Sequence, residues 1–216
     1  IIKASSLGDI VCALPVLTQL RRLHPQARIG WVVDHRFADL LAGHPWIDRL
    51  FVFRHVSVRV GSGFISSIRR YTEQLALLTG ELRTERWDVA LDLQSAFKSS
   101  QILLKCGAQH RIAEMAGWRH IWAFAACNRP VLARNPHAVV RCLEVAAPLG
   151  VDASNPEFCL KVAPEAATWA QDRLREVPRP RLIVNPGSAR KEKLWAPERF
   201  AEAVKAAHAA GVRAGV

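Results

Sequence analysis

Three short segments hold residues whose types and spacing could do chemistry. The first is Ser5-Ser6-Leu7-Gly8-Asp9. Small and hydroxylated residues suit a tight strand-to-helix turn, and a carboxylate at its end could accept a proton from a substrate hydroxyl. Asp9 could equally cap the helix, since Asp is among the preferred residues at helix starts. The second segment is Asp92-Leu93-Gln94-Ser95-Ala96-Phe97-Lys98-Ser99-Ser100. Polar groups crowd a strand end there, and Lys98 stands at the start of a helix, where a cation opposes the dipole. A bound anion would resolve that conflict, and so would a lysine stem reaching out to solvent. The third segment is Asn185-Pro186-Gly187-Ser188-Ala189-Arg190-Lys191-Glu192-Lys193-Leu194-Trp195. The Gly187 turn, the Ser188 hydroxyl and the cations Arg190, Lys191 and Lys193 make a design for holding phosphate with amides, an OH and positive charge. On spacing alone it reads equally as a basic surface turn.

Other chemistries find no support. The chain has neither the G-x-x-x-x-G-K-[ST] spacing of a nucleotide P-loop nor a G-x-G-x-x-G fingerprint. It lacks H-E-x-x-H, any Cys/His cluster and D-x-D, so no metal site and no cofactor are expected. Eight scattered histidines read as structural or exposed. Seven tryptophans with one tyrosine do not form the base-stacking set of an RNA-binding sheet, so nucleic acid is not the expected partner.

The elements that must position these residues follow from hydrophobic pattern. Short apolar runs alternate with longer helical stretches, which is the mark of βαβ units and a parallel sheet. Ile1-Ile2-Lys3 ends a first strand. Helical spacing then runs through Val11, Leu14, Leu17 and Leu20 to Arg21-Arg22, with Pro25 stopping it and Pro15 implying a kink or an irregular first turn. Strands are expected at Arg28–Val33, Arg49–Phe53 and Val89–Leu93. Helices are expected at Phe37–Ala42 (closed by Gly43), Arg70–Glu85, Phe97–Cys106 and His137–Leu149, the last capped by Gly150. Val56–Ile68, with Gly61, Ser62 and Gly63, reads as a mobile basic loop carrying on to Arg69-Arg70.

After Gly150 the texture changes. Pro156, Pro164, Pro178 and Pro180 bracket one polar helix, Glu165–Glu176, and Pro178–Pro180 reads as a hinge between domains 1–177 and 178–216. A strand at Arg181–Val184 and a helix at Pro197–Ala210 follow. One strand and one helix cannot bury a sheet, so much of that second domain is expected to be missing. All three candidate segments thus fall at C-terminal ends of strands, where open parallel sheets place their ligands.

Composition bounds the class. With 216 residues, 50 % hydrophobic and 23 % charged, the chain has globular composition and is neither disordered nor collagen-like. No apolar run approaches the roughly 18–20 residues of a membrane-spanning helix. Thirty Lys and Arg against 19 acidic residues give a net charge of +11. Such a surface attracts polyanions: nucleic acid, anionic lipid or phosphorylated substrates. The five cysteines (Cys12, Cys106, Cys127, Cys142, Cys159) are odd in number and unpatterned, which fits small buried hydrophobes in a reducing compartment. Both ends of the chain read as cuts.

Taken together, the segments resemble glycosyltransferase family 9, the bacterial ADP-heptose:lipopolysaccharide heptosyltransferases, and the heptosyltransferase I side of it more than the II side. Ile2-Lys3-Ala4-Ser5-Ser6-Leu7-Gly8-Asp9-Ile10 with Leu14-Pro15 is similar to the family's N-terminal signature. Trp31-Val32-Val33-Asp34 matches its second strand, and Asp92-Leu93-Gln94-Ser95-Ala96-Phe97-Lys98-Ser99 resembles its D-x-Q-G-x-x-K-S stretch, with Ser95 in place of the glycine. His137-Ala138-Val139 at a helix start also fits, and Asn185-Pro186-Gly187-Ser188 through Lys193 and Trp195 resembles the segment that grips the donor diphosphate.

The resemblance implies an α/β, GT-B type fold: a Rossmann-like N-terminal domain with a parallel sheet, on the acceptor side, plus the first part of a second Rossmann-like domain that binds nucleotide sugar. It implies transfer of heptose from ADP-heptose to the Kdo-bearing inner core of lipopolysaccharide, inverting and without a metal. Asp9 would be the general base. Ser188, Lys193, Gly187 and Arg190 would hold the donor phosphates. Ser6, Gly8, Lys98, Gln94, Arg69 and Arg70 would contact the phosphorylated acceptor. The enzyme would work in the cytoplasm, peripheral on the anionic inner face of the cytoplasmic membrane. The family's later D-x-G-x-x-H segment does not occur in this chain, so its activity alone is expected to be impaired. Two alternatives stay open: a family 9 transferase for another sugar or acceptor, and a non-catalytic basic module that binds anions or lipid.

Overall fold

The computed structural model describes residues 1–54, 64–115, 125–177, 179–188 and 191–215, with the side chains of 191 and 213–215 excepted. Most of the basic loop expected over Val56–Ile68 lies outside the described residues, as do Pro178 and Arg190.

The chain forms two compact units, Ile1–Lys161 and Val162–Val216. The first is built on a parallel sheet. Strand β1 (Gly30–Asp34) pairs with β2 (Arg49–Phe53) from Gly30↔Arg49 to Asp34↔Phe53. Strand β3 (Val89–Asp92) pairs with β4 (His110–Glu114), and β4 with β5 (Arg129–Val131). Between the two sets lies Ile2, bridged in parallel to both Val32 and Asp92. Its N–H donates to Leu91 O at 2.8 Å, the Leu93 N–H donates back to Ile2 O at 3.1 Å, and the Asp34 N–H reaches Ala4 O at 3.0 Å. The order is therefore β2-β1-Ile2-β3-β4-β5. With Ile2 counted as a first strand, this is the doubly wound order 3-2-1-4-5-6, whose connections reverse direction between Ile2 and β3.

Alternation along the strands feeds two apolar layers. Trp31, Val33, Leu91 and Ile112 face one way and meet Ile10, Leu14 and Leu17 of α1 (Leu7–Leu23) and Leu143 of α4 (Ala138–Ala146). Val32, Phe51, Ala90 and Ala113 face the other and meet Tyr71, Leu75 and Leu78 of α2 (Phe64–Leu82) and Ile102 and Leu103 of α3 (Phe97–Lys105). Burial on both faces is what a parallel sheet requires. Pro15 is buried inside α1, which runs unbroken past it, and the first turn is closed regularly by Ser6 and Asp9. Gly150, at φ 86°, ends the short turn of helix after α4 in the left-handed conformation that favours glycine.

Three strands escape the pattern reading. β4 mixes His110, Arg111 and Glu114 with only two apolar residues. β5 contains Pro130, tolerated because among the described residues β5 pairs with β4 alone. In the second unit, β6 (Arg181–Ile183) pairs in parallel with β7 (Arg213–Gly215) around α6 (Pro197–Ala209), so this unit has two strands where one was expected. The units also divide before α5 (Pro164–Leu174), earlier than the expected hinge. None of the 11 residues of α5 is buried.

Candidate active site

The loops that leave Ile2 and β3 both open at the reversal point of the sheet. The loop after Ile2 enters α1 through a capping box. The Asp9 carboxylate accepts the Ser6 N–H at 3.0 Å and the Ser6 hydroxyl at 2.5 Å, all through Oδ2. Asp9 is nonetheless exposed, as are Ser6 and Gly8. It serves as a cap and is presented to solvent as well. A Cβ on Gly8 would meet nothing within 4 Å, so the first turn of α1 is open on that side.

The loop after β3 is organised by Asp92. This carboxyl is fully buried, and its Oδ1 accepts the amides of Gln94 at 2.9 Å and Ser95 at 3.0 Å. Burial pushes its pKa up to about 6 against the opposing pull of those amides. Gln94 in turn accepts the Ser5 N–H on Oε1 at 3.1 Å, which ties the two loops together. Lys3, buried beneath them, donates from Nζ to Leu93 O at 2.7 Å. Ser95 sits at φ 49°, the left-handed region, and its buried Oγ has no hydrogen-bond partner among the described residues.

Lys98, half-buried at the start of α3, lies 5.9 Å from the centroid of the Tyr71 ring. Burial lowers its pKa, and nearby Asp34 opposes that shift. Asp34 ends β1 with 1 % exposure. Arg36 forks onto it, Nε to Oδ1 at 2.9 Å and Nη2 to Oδ2 at 2.8 Å, and these bonds overcome burial to hold the carboxyl below its ordinary range. At the end of β4, buried Glu114 accepts Arg141 Nε of α4 at 2.6 Å. His137, the residue before α4, is exposed.

The structure thus brings Ser6, Gly8, Asp9, Gln94 and Lys98 to one edge of the first sheet. Arg69 and Arg70 are exposed on α2, where Arg69 Nε pairs with Glu73 at 2.8 Å and Arg70 Nε reaches Ser66 O at 3.4 Å. Of the donor-side candidates, Gly187, Ser188 and Lys193 are exposed in the second unit, in the segment between β6 and α6. The Gly187 N–H donates to Asn185 Oδ1 at 3.3 Å, and Trp195 packs edge-on against Phe200 at 4.9 Å. Arg190 lies outside the described residues. The Asp34–Arg36 and Glu114–Arg141 pairs were not among the sequence candidates. Recognising His110–Glu114 as a strand would have placed an acid at its ligand-facing end. Among the described residues no group of three His, Cys, Asp or Glu could hold a metal ion.

Comparison with known proteins meets this geometry. Lipopolysaccharide core heptosyltransferase OpsX of Haemophilus influenzae is 26 % identical over 211 residues, 96 % of this chain and 56 % of that protein. Lipopolysaccharide heptosyltransferase 1 of Pseudomonas aeruginosa is 31 % identical over 109 residues, 46 % of this chain and 27 % of that one. The chain spans about half the length, or less, of the curated relatives it matches. Among solved structures, the glycosyl transferase family 9 protein of Veillonella parvula superposes at a TM-score of 0.78 with 22 % identity, covering 99 % of this chain and 60 % of that one. E. coli heptosyltransferase WaaC with ADP superposes at 0.67 with 21 % identity, covering 99 % and 65 %. These structural likenesses show the fold: α/β, of GT-B type, with Rossmann-like units. The model of glycosyltransferase family 9 (heptosyltransferase) matches residues 76–214, from within α2 into β7. With its sheet reversal, its capped Asp9 loop and well over half its length under that model, the chain belongs to glycosyltransferase family 9.

Proposed function

We propose that the chain is the acceptor side and the opening of the donor side of an enzyme that transfers heptose from ADP-heptose to the Kdo-bearing inner core of lipopolysaccharide. One observation carries the reading. An exposed carboxylate, held by Ser6 at the first turn of α1, stands at the reversal point of the sheet, on the edge that also carries Gln94 and Lys98, in a chain of this family.

In this proposal Asp9 takes the proton from an acceptor sugar hydroxyl as its oxygen attacks the anomeric carbon. The bond from that carbon to the ADP oxygen breaks on the opposite face, so the configuration inverts. Lys193 and Arg190, with the Ser188 hydroxyl and the Gly187 amide, meet the charge that builds on the departing diphosphate. Lys98, Gln94, Ser6, Gly8, Arg69 and Arg70 hold the phosphorylated acceptor. The step needs no divalent ion when cations supply that charge. The place of work is the cytoplasmic face of the membrane, where the polyanionic acceptor suits the net charge of +11.

The test uses this chain and a version completed to the length of its relatives. In the completed protein, ADP binding by calorimetry is lost on Lys193→Ala. Asp9→Asn lowers transfer by about 10²–10⁴-fold while leaving ADP binding intact. Full transfer by Asp9→Asn would remove Asp9 as the base. ADP binding without transfer from ADP-heptose would point to another sugar or acceptor. Absence of nucleotide binding would leave a bare anion-binding module.

A further inference from the structure

Arg36 is a fixed cation at the ligand end of the sheet that the proposed transfer does not yet use. Its place follows from Asp34. That residue pairs in register with Phe53 of β2, so the two side chains share a face of the sheet. On this face the Phe53 ring packs edge-on against Tyr71 at 6.2 Å, and the Lys98 ammonium lies 5.9 Å from the centroid of the Tyr71 ring. Asp34 therefore faces the side covered by α2 and α3, at the end where Lys98 stands. Its N–H bond to Ala4 O puts it next to the loop that carries Ser6 and Asp9. Arg36 folds back onto this carboxylate. Nε and Nη2 donate to its two oxygens at 2.9 and 2.8 Å, the backbone N–H donates to Oδ1 at 3.0 Å, and the guanidinium carbon lies 5.3 Å from the centroid of the Phe37 ring. His35 Nδ1 is also 3.2 Å from Oδ1. A guanidinium has five N–H donors, and this fork takes its inner edge. The outer edge, Nη1 and the second Nη2–H, makes no hydrogen bond among the described residues, and the Arg36 side chain is 55 % exposed. Besides burial, which lowers the pKa of Lys98, Asp34 raises it and Arg36 lowers it, so both charges reach the lysine.

We infer that Arg36 and Lys98 together hold an oxyanion of the acceptor sugar, a phosphate or a carboxylate, with Asp34 as the positioning residue that keeps the guanidinium in place. Two parallel N–H groups on the outer edge of Arg36 match two oxygens of such a group, and an anion there relieves the repulsion between the two cations. Holding a long side chain by a buried carboxylate removes much of the entropy that binding would otherwise cost. A tie that only joined β1 to the helical turn after it, His35–Leu40, would need the inner edge alone. The outer edge stands at the end of the sheet that also carries Asp9 and Lys98. The inference rests on the proposed acceptor chemistry and adds to it a residue that selects acceptors with a charged group at this position.

The experiment is calorimetric titration of a deacylated, water-soluble form of the Kdo-bearing acceptor into the completed protein, with transfer rates measured alongside. Arg36→Ala should weaken acceptor binding and raise its KM by about ten-fold or more, the size of a charge-assisted contact. ADP binding and kcat at saturating acceptor should stay as in the parent. Arg36→Lys should recover only a small part, because an ammonium cannot fork to both Asp34 and the oxyanion. Asp34→Asn should give a loss of the same kind, and adding Arg36→Ala to it should cost little more, since the two residues act as one unit. That double variant leaves no buried carboxylate unpaired, and a parent-like urea transition shows that it is folded. With an acceptor stripped of phosphate, or with one whose Kdo carboxyl is esterified, the difference between the parent and Arg36→Ala should vanish in at least one case, which names the group held. A difference that persists with both would overturn the proposal. So would equal acceptor binding by Arg36→Ala and the parent, or fully additive losses in the double variant. If acceptor binding depends on Arg36 as expected and no heptose is transferred, the sugar-transfer reading fails and the anion site stands. If Arg36→Ala transfers heptose at the parent's KM, the transfer reading stands and the anion site falls. A parent that binds no acceptor would remove both.

Discussion

Two aspartates stand at neighbouring loops of one sheet edge, and their surroundings give them different work. Asp9 is exposed and hydrogen-bonded by Ser6, which keeps a carboxylate in place where a substrate could reach it. Asp92 is fully buried and uses Oδ1 to fix the Gln94–Ser95 turn. Its pKa is raised to about 6 because burial opposes the charge. The folded state therefore holds a proton that the unfolded chain releases near 4. Between those values the folded state binds more protons, so stability falls as pH rises, and below about 4 the penalty is gone. The span corresponds to about 3 kcal/mol. In Asp92→Asn an amide oxygen keeps the turn and the charge disappears. Urea midpoints measured from pH 4 to pH 7 should fall in the parent and stay flatter in the variant. Parallel curves would show that Asp92 titrates as an ordinary carboxyl.

At the scale of elements, the turn between β3 and α3 has one ill-suited residue. Ser95 adopts φ 49° and buries a hydroxyl without a partner among the described residues. The left-handed region favours glycine, and an unsatisfied buried hydroxyl adds to the cost. Ser95→Gly should raise stability by about 1 kcal/mol, read as a higher urea midpoint with an unchanged slope. A lower midpoint would mean that the hydroxyl has a solvent partner that matters more than the backbone. The same turn shows what could be read from the residues alone. Asp9, Gln94 and Lys98 were legible because each lies just past a strand, and such loops share one edge of a parallel sheet. Strand β2 was legible because Arg49–Phe53 is a bounded apolar run. β4, β5 and β7 were not, because His110, Arg129, Pro130 and Arg213 break that signal and only pairing with neighbours makes those segments strands. The Glu114–Arg141 pair was hidden for the same reason, since its partners lie 27 residues apart on elements whose packing the sequence does not state. Pro178 and Pro180 mark a hinge in the sequence, while contacts along the chain group residues into Ile1–Lys161 and Val162–Val216.

At the scale of the whole molecule, apolar burial is distributed very unevenly. Every buried residue among those described lies between Ile2 and Val151. The second unit has a paired β6-α6-β7 set, yet Trp169, Ile183, Leu194 and Trp195 are 64 %, 71 %, 50 % and 47 % exposed. Cooperative folding needs a shared core large enough to offset chain entropy, and two strands with a helix bury too little to supply one. The first unit has such a core on both faces of its sheet. A chain ending at Lys161 should therefore unfold in urea as one transition, with a midpoint close to that of residues 1–216. A peptide of residues 162–216 should show only a gradual loss of helical signal. The slope of the first transition is the sharper criterion, because it scales with the surface exposed on unfolding. If residues 162–216 added a cooperative core, the longer chain would have a steeper slope in proportion to its length. An equal slope in the two chains would place the cooperative unit within Ile1–Lys161, and an unfolding free energy lower by more than about 1 kcal/mol in the shorter chain would show that residues 162–216 stabilise it.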